Sequence, residues 1–528
     1  YPHQTLFVMP YFDFHMHPTL KTLFSDPENK TSPFDKLDTR RIPGLLRWCT
    51  DLDFVLSSQA NLDQLFRNRV DIMGFPLFIP DRALLDNKLV REDATKSNLK
   101  VYLNAEQLDQ LIDGNPFENL LTHELPAITD TAQFGFPEKT VHILTNVEDY
   151  EGPQPDNLYV FFTLEGLHTL CNRPNDYDLD VIKANLERIT DDYPILSVNL
   201  CHMERSDVCN HAFGIQFIND HRFLPQGYGL TLAAYDMIAF LQERRILIDI
   251  KHMSLKSRLD LYKHYELRGY DLPVICTHAG MTGISHRDIN RYLSRRYRTN
   301  RRRKTVHLRL AKPMKYGNHP RPAFNASSIN LYDEDIAFIL QSGGLIGLSL
   351  DKRILGYVDW EHNSNSRQPV PNDTEYIAER EFPFFFDTSE GSIEIGEAIE
   401  HDEVLTWNDL HDGGLVNPAL GRYHLRFFFQ QIVHILAVAE QIDYSKEKAL
   451  QQICLGSDFD GIINPIWCCE SVDELDQFRE LVRTRFKPFC EECGMTLPAG
   501  FDSDQFTENL FYENGKQFVL SYLPGPIV

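Results

Sequence analysis

The chain has 528 residues, twice the length of a typical parallel barrel of about 250 residues. Its 52 Lys and Arg against 76 Asp and Glu give a formal net charge of −24, which argues against nucleic acid as the main partner because such a surface repels phosphates. No run of about 18 apolar residues occurs, so we expect no membrane span, and the first residues lack the basic and apolar segments of a signal peptide. Ten Cys are few for this length and favour the reducing cytoplasm, although a start at Tyr1 leaves a removed leader open.

Eight short apolar runs follow one another along the chain, separated by helical patterns. Runs of this kind, rich in β-branched and aromatic residues, are typical of buried parallel strands. They lie at residues 11–12, 71–79, 158–164, 195–200, 246–250, 273–276, 344–350 and 453–456. Apolar residues recur at intervals of three and four within 230–245, 255–267, 333–341 and 423–441, which predicts helices there. The alternation predicts an α/β fold of the (β/α)8 TIM-barrel class, with residues 1–528 as a single domain.

Four predicted connections are much longer than the loops of an ordinary barrel. They span about residues 19–70, 80–157, 279–343 and 351–452, and all leave from the carboxyl ends of strands. Long loops at that face build lids, pocket walls or interfaces, so we expect them to select the substrate. The third contains a basic segment, Arg291 to Lys315, with eleven Lys or Arg and no acidic residue. We interpret it as a solvated or subunit-facing loop; a site for an acidic partner is the alternative.

Six residues of metal-binding types come at or near the ends of the predicted strands. They are His15, His17, Glu165, His252, His278 and Asp458. Because the carboxyl ends of parallel strands meet at one face of a barrel, these distant residues are expected to converge. Burying so many ionisable groups together without a cation would be costly. The pattern therefore predicts a metal centre.

The number of ligands indicates the kind of centre. Six ligands exceed what one tetrahedral zinc needs, which favours two Zn²⁺ ions bridged by a carboxylate, Glu165, and by a hydroxide. Zinc lowers the pKa of bound water towards about 7 and polarises a carbonyl, so a hydrolase of this kind needs no Ser or Cys nucleophile. Asp458 is expected to pass the proton of the water to the leaving amine. A separate structural zinc at Cys468, Cys469, Cys490 and Cys493 is disfavoured, because adjacent cysteines are poorly spaced ligands.

The motifs around these residues resemble the membrane (renal) dipeptidase family of the amidohydrolase superfamily, which consists of zinc-dependent barrel enzymes. The resemblance covers most of the predicted barrel. It rests on Asp13-Phe-His-Met-His-Pro18, Leu164-Glu-Gly166, Leu196-Ser-Val-Asn-Leu-Cys-His202, Gly229-Leu-Thr231, Ile248-Asp-Ile-Lys-His-Met-Ser254, Pro273-Val-Ile-Cys-Thr-His278 and Gly456-Ser-Asp-Phe-Asp-Gly461.

The resemblance implies a role for each residue. It implies that His15, His17 and Glu165 hold one zinc, and that Glu165, His252 and His278 hold the other. Asp458 resembles the residue that activates the bridging water. His202 resembles a substrate-binding histidine that orients the scissile carbonyl or its oxyanion, with a core-edge histidine as the alternative. The resemblance also implies a homodimer and a dipeptide substrate.

The sequence departs from the family pattern at two places. The family usually has His-x-Asp after the first strand, whereas this chain has His15-Met-His17, which changes the charge at the first metal. The family also places an Arg soon after the sixth strand to hold the substrate carboxylate. Here Arg287 is the nearest candidate and Arg321 the second, since either could form a bidentate clamp.

Three functions remain open at this point. The first is a zinc-dependent dipeptidase. The second keeps the metals but acts on N-acyl amino acids, lactones or other amides and esters, because the insertions could reshape the pocket. The third is a binding protein on an inactive barrel that uses Arg291 to Lys315 to hold an acidic partner.

Overall fold

The structure is a computed structural model in which residues 9–24, 32–36, 57–86, 105–136, 138–214, 220–298, 304–310, 324–356, 358–360, 369–371, 374–385 and 416–523 are described. Eight of its strands form a parallel barrel, as the sequence predicts. In chain order they are β1 (Tyr11–Asp13), β2 (Val70–Leu77), β3 (Asn157–Leu164), β4 (Ile195–Asn199), β5 (Leu247–Asp249), β6 (Val274–Ala279), β7 (Ile346–Leu348) and β8 (Ile453–Leu455). Each pairs with the next, and β2 and β3 are in register over Ile72–Leu77 and Tyr159–Leu164.

Backbone hydrogen bonds connect the first and last strands. The amide of Phe14 donates to the carbonyl of Leu455 at 2.9 Å, and the amide of Asp458 donates to the carbonyl of His15 at 3.0 Å. These contacts join the two ends of the eight-stranded sheet. They also bring the loop after β1 against the loop after β8, and these two loops carry three of the six predicted ligands, His15, His17 and Asp458.

Alternate residues of the barrel strands face two different hydrophobic cores. In β3, Tyr159 and Phe161 pack in a cluster with barrel residues such as Phe12 and Leu247. Val160 and Phe162 belong to the larger cluster, which includes the apolar faces of the surrounding helices. Because successive side chains of a strand point to opposite faces, the strands are buried on both sides. Continuous apolar runs are therefore what this barrel needs.

The four predicted helices are confirmed, at Leu232–Glu243, Leu255–Arg268, Asp333–Ser342 and Val416–Gln441. Ser254 caps the second by accepting from the Ser257 amide, and Gly269, in the left-handed region at φ 65°, ends it. The other α-helices are Leu62–Arg67, Arg82–Leu85, Ala105–Asp113, Pro116–Asn119, Leu125–Thr129, Leu179–Thr190, Ile289–Tyr292, Lys352–Leu355, Phe382–Phe385, Lys446–Gln451, Leu475–Cys493, Ser503–Glu508 and Asn514–Tyr522. Among the described residues, no helix combines the length and apolar character needed to cross a membrane.

The insertions contain strands that the sequence did not predict. Thr140–Ile143 adds a parallel strand to the edge of β3. The basic segment was interpreted as a loop, and that is wrong for its described parts: Leu293–Arg298 and Thr305–Leu310 pair antiparallel, and Thr374–Ala378 completes a three-stranded sheet. The reason is the alternation of Val306, Leu308 and Leu310, which are all buried. Val358–Trp360 and Pro369–Pro371 form a further antiparallel pair.

Candidate metal centre

The barrel brings all six predicted ligands together at the carboxyl ends of its strands. Glu165 directly follows β3, and His278 is the penultimate residue of β6. The others come two to four residues after the ends of β1, β5 and β8. Short loops therefore carry most of these side chains, and strand ends from opposite sides of the barrel set their positions.

The two carboxylate oxygens of Glu165 face different pairs of histidines. Oε2 lies 3.5 Å from Nε2 of His15 and 3.3 Å from Nε2 of His17. Oε1 lies 3.0 Å from Nε2 of His252 and 3.7 Å from Nε2 of His278. Asp458 is on the side of the first pair, with Oδ1 3.6 Å from Nε2 of His17. Glu165 thus divides the cluster into two halves and belongs to both.

Burial keeps three of these imidazoles neutral. It lowers the pKa of His15 to about 4 and the pKa values of His252 and His278 well below the usual range. Neutral imidazole is the form that binds a metal. Burial acts in the opposite direction on Asp458, where it raises the pKa of the carboxyl well above its ordinary value. A cation can therefore bind these three rings without first displacing the extra proton of a charged imidazolium.

A hydrogen-bonded relay orients His278. The Thr277 hydroxyl donates to Oδ2 of Asp249 at 2.5 Å and lies 3.1 Å from Nδ1 of His278. Because that hydroxyl gives its proton to Asp249, it can accept Nδ1–H of His278, which leaves Nε2 unprotonated and directed at Glu165. Hydrogen bonds of this kind, made to the far nitrogen of a histidine, orient ligands in many metal sites. Asp13 supports the other half, since it accepts from the amides of His15 and Ser457.

Three site residues adopt left-handed backbone conformations. Gly166, directly after Glu165, has φ +87°, and a Cβ there would lie 2.5 Å from Nδ1 of His168 and 3.1 Å from Cβ of His202. His252 and Asp458 have φ +70° and +62°, which is uncommon for residues with side chains. Such conformations persist only where the surrounding structure enforces them, and they cluster at functional sites.

The donor set fits a metal ion. Three overlapping groups have ligand atoms within 4.8 Å of one another: His15, His278 and Asp458; His15, His17 and Glu165; and Glu165, His202 and His252. Imidazoles with carboxylates are typical zinc ligands. No cysteine belongs to such a group in the described part of the chain, and Cys468, Cys469, Cys490 and Cys493 are buried free thiols.

His202 lies closer to the cluster than a purely substrate-binding residue requires. Its Nε2 is 3.5 Å from Oε1 of Glu165, and its Nδ1 is hydrogen-bonded to the Asp81 carboxylate. Burial, the largest single influence, opposes a charge on this ring, but the carboxylates of Asp81 and Glu165 together outweigh burial and raise the pKa of His202. The His202 ring therefore favours its protonated, charged form, whereas the imidazoles of His15, His252 and His278 favour the neutral form.

A cavity of about 80 Å³ opens onto the cluster. Its wall contains two cations that the sequence interpretation missed, Lys251 and Arg353. Lys251 is buried, and its Nζ has no hydrogen-bond partner among the described residues. The Arg353 guanidinium is held by both carboxylate oxygens of Asp351. Arg353 comes five residues after β7, so the position after a strand could have identified it.

Of the two arginines proposed from sequence, Arg287 is not found in this wall. The side chain of Arg287 is 82% exposed and lies 3.9 Å from the carboxylate of Glu334. It lies on a short turn at His286–Asp288, which leaves its side chain in solvent. Arg321 is outside the described residues.

Comparisons with solved structures agree with the fold. A metallopeptidase from Rhodobacter sphaeroides, solved with a phosphinate mimic of the dipeptide L-Ala-D-Ala, has a TM-score of 0.50 and 15% identity over 98% of each chain. The probable dipeptidase PvdM from Pseudomonas aeruginosa has a TM-score of 0.49 and 13% identity, over 98% of this chain and 96% of the other. Dipeptidase AC, a metallopeptidase, has a TM-score of 0.48 and 15% identity over 98% of each chain.

Two of these structural neighbours are named as dipeptidases. At these identities the similarity concerns the fold. No protein-family model matches the chain, and no curated protein matches it either.

Proposed function

We propose that the protein is a metal-dependent hydrolase that cleaves dipeptides, with two Zn²⁺ ions at the cluster around Glu165. The observation that carries the proposal is the position of the Glu165 carboxylate between two pairs of histidines. One of its oxygens faces His15 and His17, and the other faces His252 and His278. One carboxylate between two imidazole pairs suits a pair of cations better than one tetrahedral ion. When bound, zinc would lower the pKa of a water molecule and polarise the scissile carbonyl.

Asp458 is the proposed proton carrier. Its side chain is 15% exposed, lines the cavity and reaches the first histidine pair, so it can contact both the cluster and a substrate. A carboxylate that lies both at the cluster and in the cavity wall is placed to accept a proton from the attacking water. The same group would then donate that proton to the leaving amine.

Lys251 and Arg353 are the proposed partners of the free carboxylate of the dipeptide. A buried amine without a hydrogen-bond partner is unfavourable, and a substrate oxygen at the cavity wall would satisfy it. Arg353 contributes a second positive charge in the same wall, already oriented by Asp351. Lys251→Met and Arg353→Met should raise KM for a dipeptide more than KM for the matching dipeptide amide, which lacks the carboxylate.

The proposal is tested by metal content and dipeptide turnover in the wild type, Asp458→Asn and Asp504→Asn. Asp504 is a surface carboxylate paired with Arg483, so its variant is the matched control. We expect chelation to abolish turnover, Asp458→Asn to lower kcat by roughly 10²- to 10⁴-fold, and Asp504→Asn to change little. Turnover that survives both chelation and Asp458→Asn would refute the proposal.

The exposed position of Arg287 supports a second candidate function with the same metals. Without that arginine, the pocket could accept an N-acyl amino acid, a lactone or another amide or ester. A panel of dipeptides, including L-Ala-D-Ala, against N-acyl amino acids and lactones separates the two candidates. The substrate class with the higher kcat/KM decides between them.

A further inference from the structure

Asp81 lies beside His202 at the rim of the metal cluster. Its carboxylate is hydrogen-bonded to Nδ1 of His202, and both side chains are buried. Asp81 follows β2 by four residues and His202 follows β4 by three, so loops from two different strands meet at this contact. The two residues are separated by 121 positions in the sequence.

The position of Asp81 in the chain suggests a different partner from the one it has. It precedes the helix Arg82–Leu85 at the N-cap, where an Asp side chain ordinarily accepts from the first helical amides. Here the Asp81 side chain makes no capping hydrogen bond. Glu204 caps the helix instead, because its Oε2 accepts from the Ala83 amide at 3.0 Å. Helix capping therefore does not account for Asp81.

The contacts of His202 leave one nitrogen directed at the cluster. Its ring packs edge-on against Phe78 and His252, with centroids 4.8 and 4.2 Å apart. With Nδ1 held by Asp81, Nε2 faces Oε1 of Glu165 at 3.5 Å. A carboxylate that accepts Nδ1–H fixes both the orientation and the protonation of that nitrogen.

We propose that Asp81 is a positioning residue that acts through His202, by holding its Nε2 toward Oε1 of Glu165, on the side of the cluster formed with His252, where a substrate or a metal would bind. The role of His202 in turnover rests on the proposed function, whereas the dependence of His202 on Asp81 does not. A residue that acts only through another has a distinctive signature. Once His202 is removed, removing Asp81 as well should have no further effect.

A double-mutant cycle tests this dependence with Asp81→Ala, His202→Ala and the double variant. Steady-state kinetics on a dipeptide and zinc affinity by chelator competition are measured for each. We expect Asp81→Ala to lower kcat/KM by about 10- to 100-fold, the range typical of residues that orient a site histidine through a hydrogen bond, and the double variant to match His202→Ala within about twofold. Losses that multiply would show that Asp81 acts independently, and this would overturn the inference.

Two additions keep the test decisive. Asp81→Asn keeps the shape and an acceptor for Nδ1–H, so it should lose less than Asp81→Ala and serves as the readout if the alanine variant does not fold. If the wild type hydrolyses no dipeptide, the proposed function is wrong but the inference about Asp81 is still tested. The cycle is then measured by zinc affinity alone, because His202 lies with Glu165 and His252 in a group that could hold a metal ion. An Asp81 variant with unchanged kinetics and zinc affinity would also overturn the inference.

Discussion

Replacing Thr277 with Val tests whether the relay behind His278 prepares the site for a metal. The substitution keeps the shape of the side chain but removes the hydroxyl that lies 2.5 Å from Oδ2 of Asp249 and 3.1 Å from Nδ1 of His278. Both partners are buried and would lose a hydrogen bond, at a cost of about 1–3 kcal/mol for each unsatisfied group. Asp249 still accepts from the Lys251 amide at 2.9 Å, so most of the loss should fall on His278.

We therefore expect Thr277→Val to weaken zinc binding by about 10- to 100-fold, which corresponds to about 1.4–2.8 kcal/mol. The assay is competition with a chromogenic chelator, with the melting temperature of the metal-free protein measured alongside to separate metal affinity from stability. Thr277→Ser retains the hydroxyl and should bind zinc like the wild type. If the Val and Ser variants bind zinc equally well, the hydroxyl does not orient His278 and the reasoning is wrong.

Three further predictions follow from buried groups. Gly166→Ala should lower both zinc affinity and folding stability, the latter by about 1–3 kcal/mol, because its Cβ would contact His168 in a backbone conformation that glycine favours; unchanged zinc binding would contradict this. Glu124→Gln should raise the melting temperature at pH 9 but not at pH 5. Burial raises the pKa of this carboxyl from 4.5 to about 8, so stability is lost progressively as pH rises from 4.5 to about 8, up to a limit of about 5 kcal/mol; a variant that differs from the wild type equally at both pH values would refute this. Arg258→Met should destabilise the fold by about 3–5 kcal/mol because it leaves Asp335 buried and unpaired, and adding Asp335→Leu should recover much of that loss.

The barrel could be predicted because its strands are apolar on both faces. Continuous runs such as that of β3 are visible in sequence without knowledge of their neighbours. Thr140–Ile143 escaped detection because it is only partly buried and contains a Thr and a His. The sheet within the basic segment was missed because its charges dominated the interpretation, although Val306 and Leu308 alternate with polar residues. The single domain and the homodimer stay predictions.

The convergence of the six predicted ligands could be predicted because strand ends meet at one face of a barrel. Lys251 and Arg353 also come shortly after strand ends, but the sequence does not show which of the side chains there turn into the cavity. Asp81 matters through a contact made between two loops, and nothing in its own neighbourhood indicates that contact. Closeness in sequence to His278 suggested Arg287, but a surface turn does not fix the direction of a side chain as a strand does.

The seam between β1 and β8 governs when activity can first appear during synthesis. Asp13 accepts a hydrogen bond from the amide of Ser457, which is 444 positions away. The first strand to be synthesised therefore reaches its barrel neighbour only when one of the last segments has been made. At roughly 5–20 residues per second, the first histidines would leave the ribosome about 20–90 s before Asp458 does. A chain that stops before Asp458 would thus carry five of the six predicted ligands without the proposed proton carrier, and such an unfinished copy would be inert under the proposed function.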